Sequence, residues 1–517
     1  MKKAIPLMIQ GTHSDAGKSA IVTALCRIFV QDGFKTAPFK SQNMALNSYI
    51  TVDGKEIGRA QGVQAEAARI LATTDMNPIL IKPSGNYQSQ IVVHGKPYKN
   101  MRAGEYREDF FQQGLQLIRE SYQKLSASYD RIVIEGAGSP AEINLNDREL
   151  VNMRVAQLSN APVILVGDIE KGGVFASLVG TLQLLDPEDR ERIIGVIINK
   201  FRGDVSLLQP GLTWFEEYTG VPILGVVPYI DDLLIEAEDS VVLNKYSSKV
   251  DASKEIDIAV IRHPMISNFT DIDPFFEEPD CHVRFVKNVG ELGEPDLLIL
   301  PGSKNTIEDM MSLHQTGLAN RILDVAEKDM IIVGICGGYQ MLGNSIEDTH
   351  GIESSFSQVE GLGLIPMKTL MTPNKTTIRS EGIASFGDDR IPVIGYEIHM
   401  GESYFEKECS NFIKLSNRME GSISVDKRII GTYFHGIFHN DLFREAILNE
   451  IRVKKGLEPI CNRASFTQKR EDGFDLLAKV VRENIQLERI YTLITDFQKE
   501  RTNNYTMGKG IKNGSYL

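Results

Sequence analysis

At 517 residues the chain exceeds what one hydrophobic core supports, and domains of roughly 150 residues give the expectation of two or three units. Lys and Arg number 56 against 69 Asp and Glu, and the resulting net charge of −13 argues against a nonspecific nucleic-acid or membrane-surface binder. No apolar run approaches the ~18 residues of a membrane span, and the five cysteines lack the spacing of a disulfide scaffold or zinc finger. The opening apolar stretch stops at Gln10, short of a signal-peptide core, so the expected location is the cytoplasm. In chain order, continuous apolar runs at 5–10, 130–136, 161–167, 193–200 and 221–228 predict buried strands of a parallel sheet covered on both faces. Helical spacing over 17–31, 58–72, 107–127 and 147–159 fills the gaps, as right-handed strand–helix–strand units require. Residues 236–255 are polar and read as a linker, which sets a first domain at 1–235. A second series follows at 257–262, 296–302, 330–338, 390–398 and 428–436, giving a domain over 256–445. The remainder, 446–517, reads as a helical extension centred on 474–494, with a frayed tail from Thr502. The expected fold is therefore α/β with two open, mostly parallel sheets.

The first strand runs into Gly11-Thr12-His13-Ser14-Asp15-Ala16-Gly17-Lys18-Ser19 and then into a helix. Phosphate binding needs this arrangement. Glycines let successive N–H groups turn inward, a helix N-terminus favours anions, and a lysine adds a point charge. ATP phosphates are expected on Gly11, Thr12, Ser14, Gly17, Lys18 and Ser19, with the Ser19 hydroxyl placed for Mg²⁺. Five residues separate the two glycines, where the usual phosphate loop has four. That longer loop resembles dethiobiotin synthetase and its relatives, which activate carboxylates with ATP. The resemblance implies a phosphate contact for Lys40, a Mg²⁺ ligand in Glu135 of Ile134-Glu135-Gly136-Ala137-Gly138, and adenine recognition by Asn199. His13 departs from the pattern, standing where a small hydroxyl residue is expected.

The second half carries Gly334-Ile335-Cys336-Gly337-Gly338 between an apolar strand and a helix-like segment. Flanking glycines permit a sharp strand-to-helix turn that exposes the sulfur, and a helix N-terminus favours its thiolate. Cys336 is thus the expected nucleophile. His435, which also ends a strand, is the expected base, and Gly302 and Gly337 are expected to supply oxyanion N–H groups. This constellation resembles a class I glutamine amidotransferase domain, which releases ammonia through a thioester. Ile437 stands two residues after His435, where class I triads carry a glutamate. That departure matches the cobalamin-pathway amidases, which work with a Cys–His pair. Glu397 and His399 are left as helpers of the pair or as structural residues.

An ATP site and an ammonia source in one chain point to amide synthesis, because a carboxylate is a poor electrophile until phosphorylated. At finer grain the chain resembles the cobyric acid synthase family over roughly 1–495. The segments that carry this include FKSQNMALNSY (39–49), GDIEKGGVFAS (167–177), NKFRGD (199–204), RHPMISNFTDIDPF (262–275) and YFHGIF (433–438). The resemblance implies a corrinoid substrate, adenosylcobyrinic acid a,c-diamide, amidated at its b, d, e and g carboxylates with ATP, glutamine and Mg²⁺. The polar segments 41–49 and 139–147 are expected near the corrinoid. No nucleic-acid or membrane partner is expected, and a homo-oligomer is left open. The competing readings are an a,c-diamide synthase or other glutamine-dependent ligase and, more distantly, a partition-type ATPase, which has no use for the Cys–His half.

Overall fold

The structure is a computed structural model and describes residues 3–85, 88–230, 243 and 246–506. Its first sheet has six parallel strands in the spatial order Ile223–Pro228, Ile193–Phe201, Val163–Asp168, Ile5–Gly11, Arg131–Glu135 and Thr36–Phe39. Every residue of Val163–Asp168 and Arg131–Glu135 is buried, which is why these runs are apolar without alternation. One face of the sheet packs on a core containing Met8, Ile132, Ile134 and Leu165, and the other on Leu7, Ile9, Val133 and Ile164.

The C-terminal extension closes that second face. Leu477, Val481, Ile490, Ile494 and Phe497 belong to the same cluster as Leu7 and Ile9, so the end of the chain completes the first domain. Arg27, fully buried on the helix Lys18–Gln31, is neutralised by Glu471 at 2.6 Å and Asp475 at 2.8 Å. Such pairing is the condition for burying a guanidinium. The stretch 474–494 is not one helix, as its periodicity predicts. It breaks between Phe466–Asn484 and Leu487–Thr506, because Ile485 leaves the helix to bridge Gly225 and Gln486 N–H donates to Leu224 O at 2.7 Å. The expected helix at 147–159 begins only at Met153. Glu149 gathers the N–H groups of Val151, Asn152 and Arg154 ahead of it. The sequence reading also lacks a four-stranded sheet of Gln42–Met44, Ile79–Gly85, Gln88–Val93 and Lys96–Arg102.

The second sheet begins as a parallel block: Cys281–Val286, Ile256–Ile261, Leu297–Leu300, Ile331–Ile335 and Ile429–Thr432. It then turns antiparallel through Met419–Ile423, Asn411–Leu415 and Met367–Phe386. Residues 390–398 are therefore not a parallel strand of the kind the apolar run suggests. They lie in Asp389–Phe405, which pairs antiparallel along Met367–Phe386 after a turn at Gly387 with φ +64°. The helix Asp441–Lys454 crosses the expected boundary at 445 and buries Phe443, Ile447 and Ile451 in the second domain's core. Of the expected linker, 236–242, 244 and 245 lie outside the described residues.

The two domains meet through buried polar contacts. Glu56 is paired with Lys82 at 2.6 Å and with Lys375 of the second domain, and it accepts from Ser48 Oγ at 2.6 Å. Burial opposes the Glu56 charge, but Lys375 and Lys82 outweigh it and hold the carboxyl below its ordinary range. Ser48 N–H donates to Asn268 Oδ1 across the same boundary at 2.9 Å.

Candidate active sites

The phosphate loop ends in Gly17, at φ +96°, where a Cβ would fall 2.0 Å from Asn199 Nδ2. Left-handed backbone and close approach both demand glycine here. The Lys18 ammonium reaches back over the loop to His13 O at 3.0 Å and across to Gly138 O at 3.1 Å. The Thr12 hydroxyl is buried without a partner among the described residues, as a phosphate-facing donor requires. Asn199 Nδ2 donates to Ala16 O at 3.1 Å, so this amide braces the loop from the next strand but one. Lys200 adds a second brace, bonded to Asp15 O at 2.6 Å and Asp168 at 2.8 Å.

Glu135 collects three donors at the sheet's carboxyl edge: Ser19 Oγ at 2.8 Å, Lys40 Nζ at 2.9 Å and Gln64 Nε2 at 2.5 Å. Burial resists its ionisation, yet Lys40 first and then Gln64 and Ser19 hold the carboxyl below the usual carboxylate range. The ionised Glu135 and the Ser19 hydroxyl are thus two hard oxygen donors at the end of the phosphate loop. That set fits Mg²⁺, which takes one or two protein oxygens and fills its octahedron with water and phosphate. Among the described residues no group of three or more His, Cys, Asp or Glu side chains is gathered to hold a metal ion by itself. Gln64 was not legible as part of this site, because its burial on the helix Arg59–Ala67 shows only in the structure.

The second site is built at the carboxyl edge of the other sheet. Cys336 follows the central strand Ile331–Ile335 with φ 55° and ψ −110°, a strained conformation for a residue with a side chain. Its neighbours must be glycine because a Cβ on Gly338 would meet Leu300 O at 1.9 Å and one on Gly334 would meet Gly338 O at 2.6 Å. A Cβ on Gly337 would lie 2.9 Å from Ser303 N, and one on Gly302 would lie 3.4 Å from His435 Cε1. Gly302 and Gly337 are therefore brought to the same place as the Cys–His pair.

His435 is fully buried, and its Nδ1 is 2.7 Å from Asp271 Oδ2. Asp271 Oδ1 accepts the Gly436 N–H at 2.8 Å, and the Tyr396 ring stacks on the imidazole at 5.0 Å. Nε2 has no hydrogen-bond partner among the described residues. Burial disfavours the charged ring, but Asp271 and then the Cys336 sulfur outweigh it and push His435 up to about 10. The stabilisation from this pair is fully present below the ring's ordinary pKa of about 6.5 and is lost as pH rises through about 10.

Asp271 supplies the orienting carboxylate that the missing glutamate at position 437 left open. It stands 164 residues before His435, on the short helix Phe269–Ile272, so sequence order hides it. Glu397 is instead paired with Arg418, and His399 stacks on Tyr433 at 3.8 Å with Nδ1 on Gly401 O. Neither hydrogen-bonds His435. Asp271→Asn is expected to lower glutamine hydrolysis by roughly 10²-fold or more, because the ring loses its tautomer and its charge partner. The alkaline limb of the pH–rate profile is expected to move to lower pH. An unmoved limb in a stopped assay of glutamate release would show that Asp271 serves packing alone.

Comparison with known proteins agrees with this two-site arrangement. The family model described as "CobQ/CobB/MinD/ParA nucleotide binding domain" matches residues 7–256. The one described as "CobB/CobQ-like glutamine amidotransferase domain" matches residues 257–443. A cobyric acid synthase of Geobacillus sp. (strain WCH70) is 64% identical over 96% of this chain and 99% of its own length. Those of Geobacillus thermodenitrificans and Yersinia enterocolitica are 60% and 47% identical, each over 96% of this chain and at least 99% of their own. A phosphate loop and a Cys–His–Asp site on two sheets, with identity of this extent, place the chain in the cobyric acid synthase family.

Proposed function

We propose that this chain amidates the b, d, e and g carboxylates of adenosylcobyrinic acid a,c-diamide, using ATP and glutamine, to give adenosylcobyric acid. The observation that carries the reading is the presence, in one chain, of a phosphate loop and a Cys–His–Asp site on joined domains. In the glutaminase half, His435 takes up the Cys336 thiol proton as the sulfur attacks the glutamine amide carbon. The N–H groups about Gly302 and Gly337 receive the developing oxyanion, and His435 protonates the departing ammonia. Water then cleaves the thioester, releasing glutamate and regenerating the sulfur. In the ligase half, Lys18 and Lys40 draw charge from the triphosphate as the γ-phosphoryl group passes to a carboxylate oxygen. Ammonia adds to the resulting carboxyl phosphate, and phosphate leaves.

Ser19 and Glu135 would hold Mg²⁺, which supplies charge neutralisation at the phosphates when bound. Glu135→Gln keeps the size and removes the charge. It is expected to raise the Mg²⁺ concentration for half-maximal synthesis several-fold and to lower the maximal rate. A Mg²⁺ titration at saturating ATP that superimposes on wild type would remove Glu135 from the metal site. The substrate assignment is tested with a panel of corrinoid acids, ATP and glutamine. Turnover of the a,c-diamide and none of cobyrinic acid itself supports the reading, and the reverse makes the chain an a,c-diamide synthase. Among the described residues no helix is long and apolar enough to cross a membrane, and the proposed location is the cytoplasm.

A further inference from the structure

Beside the Cys336 site stand two half-buried groups of opposite charge that the chemistry above does not use. Lys304 directly follows the short strand Gly302–Ser303, and its ammonium makes no hydrogen bond or ion pair among the described residues. The Cys336 sulfur and Glu353 are both within its Coulombic reach. Glu353 is tied to the same stretch of chain: its Oε2 accepts the Thr306 N–H at 3.1 Å and its backbone O accepts Asn305 Nδ2 at 3.1 Å. Among the described residues its carboxylate is hydrogen-bonded only to Thr306, and it forms no salt bridge with Lys304. The other nearby lysines are committed, since Lys82 and Lys375 both pair with Glu56.

We infer that Lys304 and Glu353 clamp the amino-acid head of glutamine, Lys304 taking the α-carboxylate and Glu353 the α-ammonium. This rests on the glutaminase reading of Cys336 and gives that site its selectivity. A primary amide alone would satisfy Cys336, His435 and the oxyanion N–H groups. A free amino acid brings in addition one negative and one positive charge on a single carbon. A lone cation and a lone anion that do not pair with each other are the complement of such a zwitterion, and a bound one leaves the site's net charge unchanged. One stretch, 302–306, carries the oxyanion turn and Lys304 and also anchors Glu353, so head and amide are registered against the same backbone. Burial lowers the Lys304 pKa and raises that of Glu353, as for charges short of compensation. Thr306 Oγ1 bonded to Gln340 at 3.0 Å ties the stretch to the helix that follows Cys336.

The test compares two alkylating reagents in the full-length chain, with labelling read at Cys336 alone by mass spectrometry of its peptide, because Cys461 is also exposed. Diazo-oxo-norleucine is shaped like glutamine and carries its amino-acid head; iodoacetamide has none. Lys304→Met is expected to slow labelling of Cys336 by the diazoketone about 10-fold or more, to raise the KM for glutamine by a similar factor, and to change iodoacetamide labelling of Cys336 by less than about 2-fold. Lys304→Arg is expected to restore most of the diazoketone rate. Glu353→Gln is expected to weaken glutamine hydrolysis but not that of glutaramate, which lacks the α-ammonium. Equal slowing of both reagents by Lys304→Met would assign Lys304 to the reactivity of Cys336 and overturn the clamp, as would unchanged rates with both. A wild-type protein that iodoacetamide labels and the diazoketone does not would overturn the glutaminase reading itself.

Discussion

Cys336→Ser is expected to abolish glutamine-supported amidation, by roughly 10⁴-fold or more, while amidation from ammonium salts continues near the wild-type rate. The separation follows from the structure. Cys336 directly follows the central parallel strand of the second sheet, whereas the phosphate loop follows a strand of a different sheet with its own core. A serine oxygen beside His435 is a far weaker nucleophile, because a hydroxyl gives up its proton far less readily than a thiol. Folding is expected to be unaffected, since the replacement adds no atom to a position whose φ of 55° the chain already imposes. The check is parallel assays with glutamine and with ammonium chloride. Loss of both activities would place Cys336 in the ligase chemistry or the fold instead.

Lys18→Ala is expected to produce the converse pattern. Synthesis should fall roughly 10²–10³-fold with either nitrogen source, about 3–4 kcal/mol of lost phosphate stabilisation, while glutamate release at Cys336 persists. The ammonium lies between the His13 and Gly138 carbonyls over the loop, and no backbone N–H can replace its charge. Lys40 remains, but its Nζ is held by Glu135, so it does not move across to compensate. ATP-dependent synthesis at the wild-type rate would require a second nucleotide site.

The sheets were legible because parallel strands buried on both faces must be apolar throughout, as in Val163–Asp168. The positions of Glu135, Cys336 and His435 at strand ends, and of Lys18 in the loop after one, were legible for a related reason. In such sheets the strand termini at the carboxyl edge are where side chains can reach a ligand. What failed to show was whatever depends on long-range pairing. The Asp389–Phe405 strand reads like a parallel one until its antiparallel partner is known. The break at Ile485 depends on Gly225, a residue 260 positions away in a different domain segment by sequence. Asp271 carries no local signal, because its partner is His435 and the short helix that presents it has no periodicity. Glu353 and Lys304 are 49 positions apart, and Glu353 is held beside the 302–306 stretch only by its hydrogen bonds with Asn305 and Thr306.

Nitrogen freed at Cys336 is expected to end in corrinoid amides made at the phosphate loop. The most direct test is glutamine labelled with nitrogen-15 at the side-chain amide, incubated with the full-length chain, Mg²⁺, ATP and adenosylcobyrinic acid a,c-diamide, followed by mass spectrometry of the corrinoid. The account predicts label in all four new amides, with ATP consumed and glutamate released for each. Unlabelled corrinoid amides, or labelled ones formed without ATP, would contradict it.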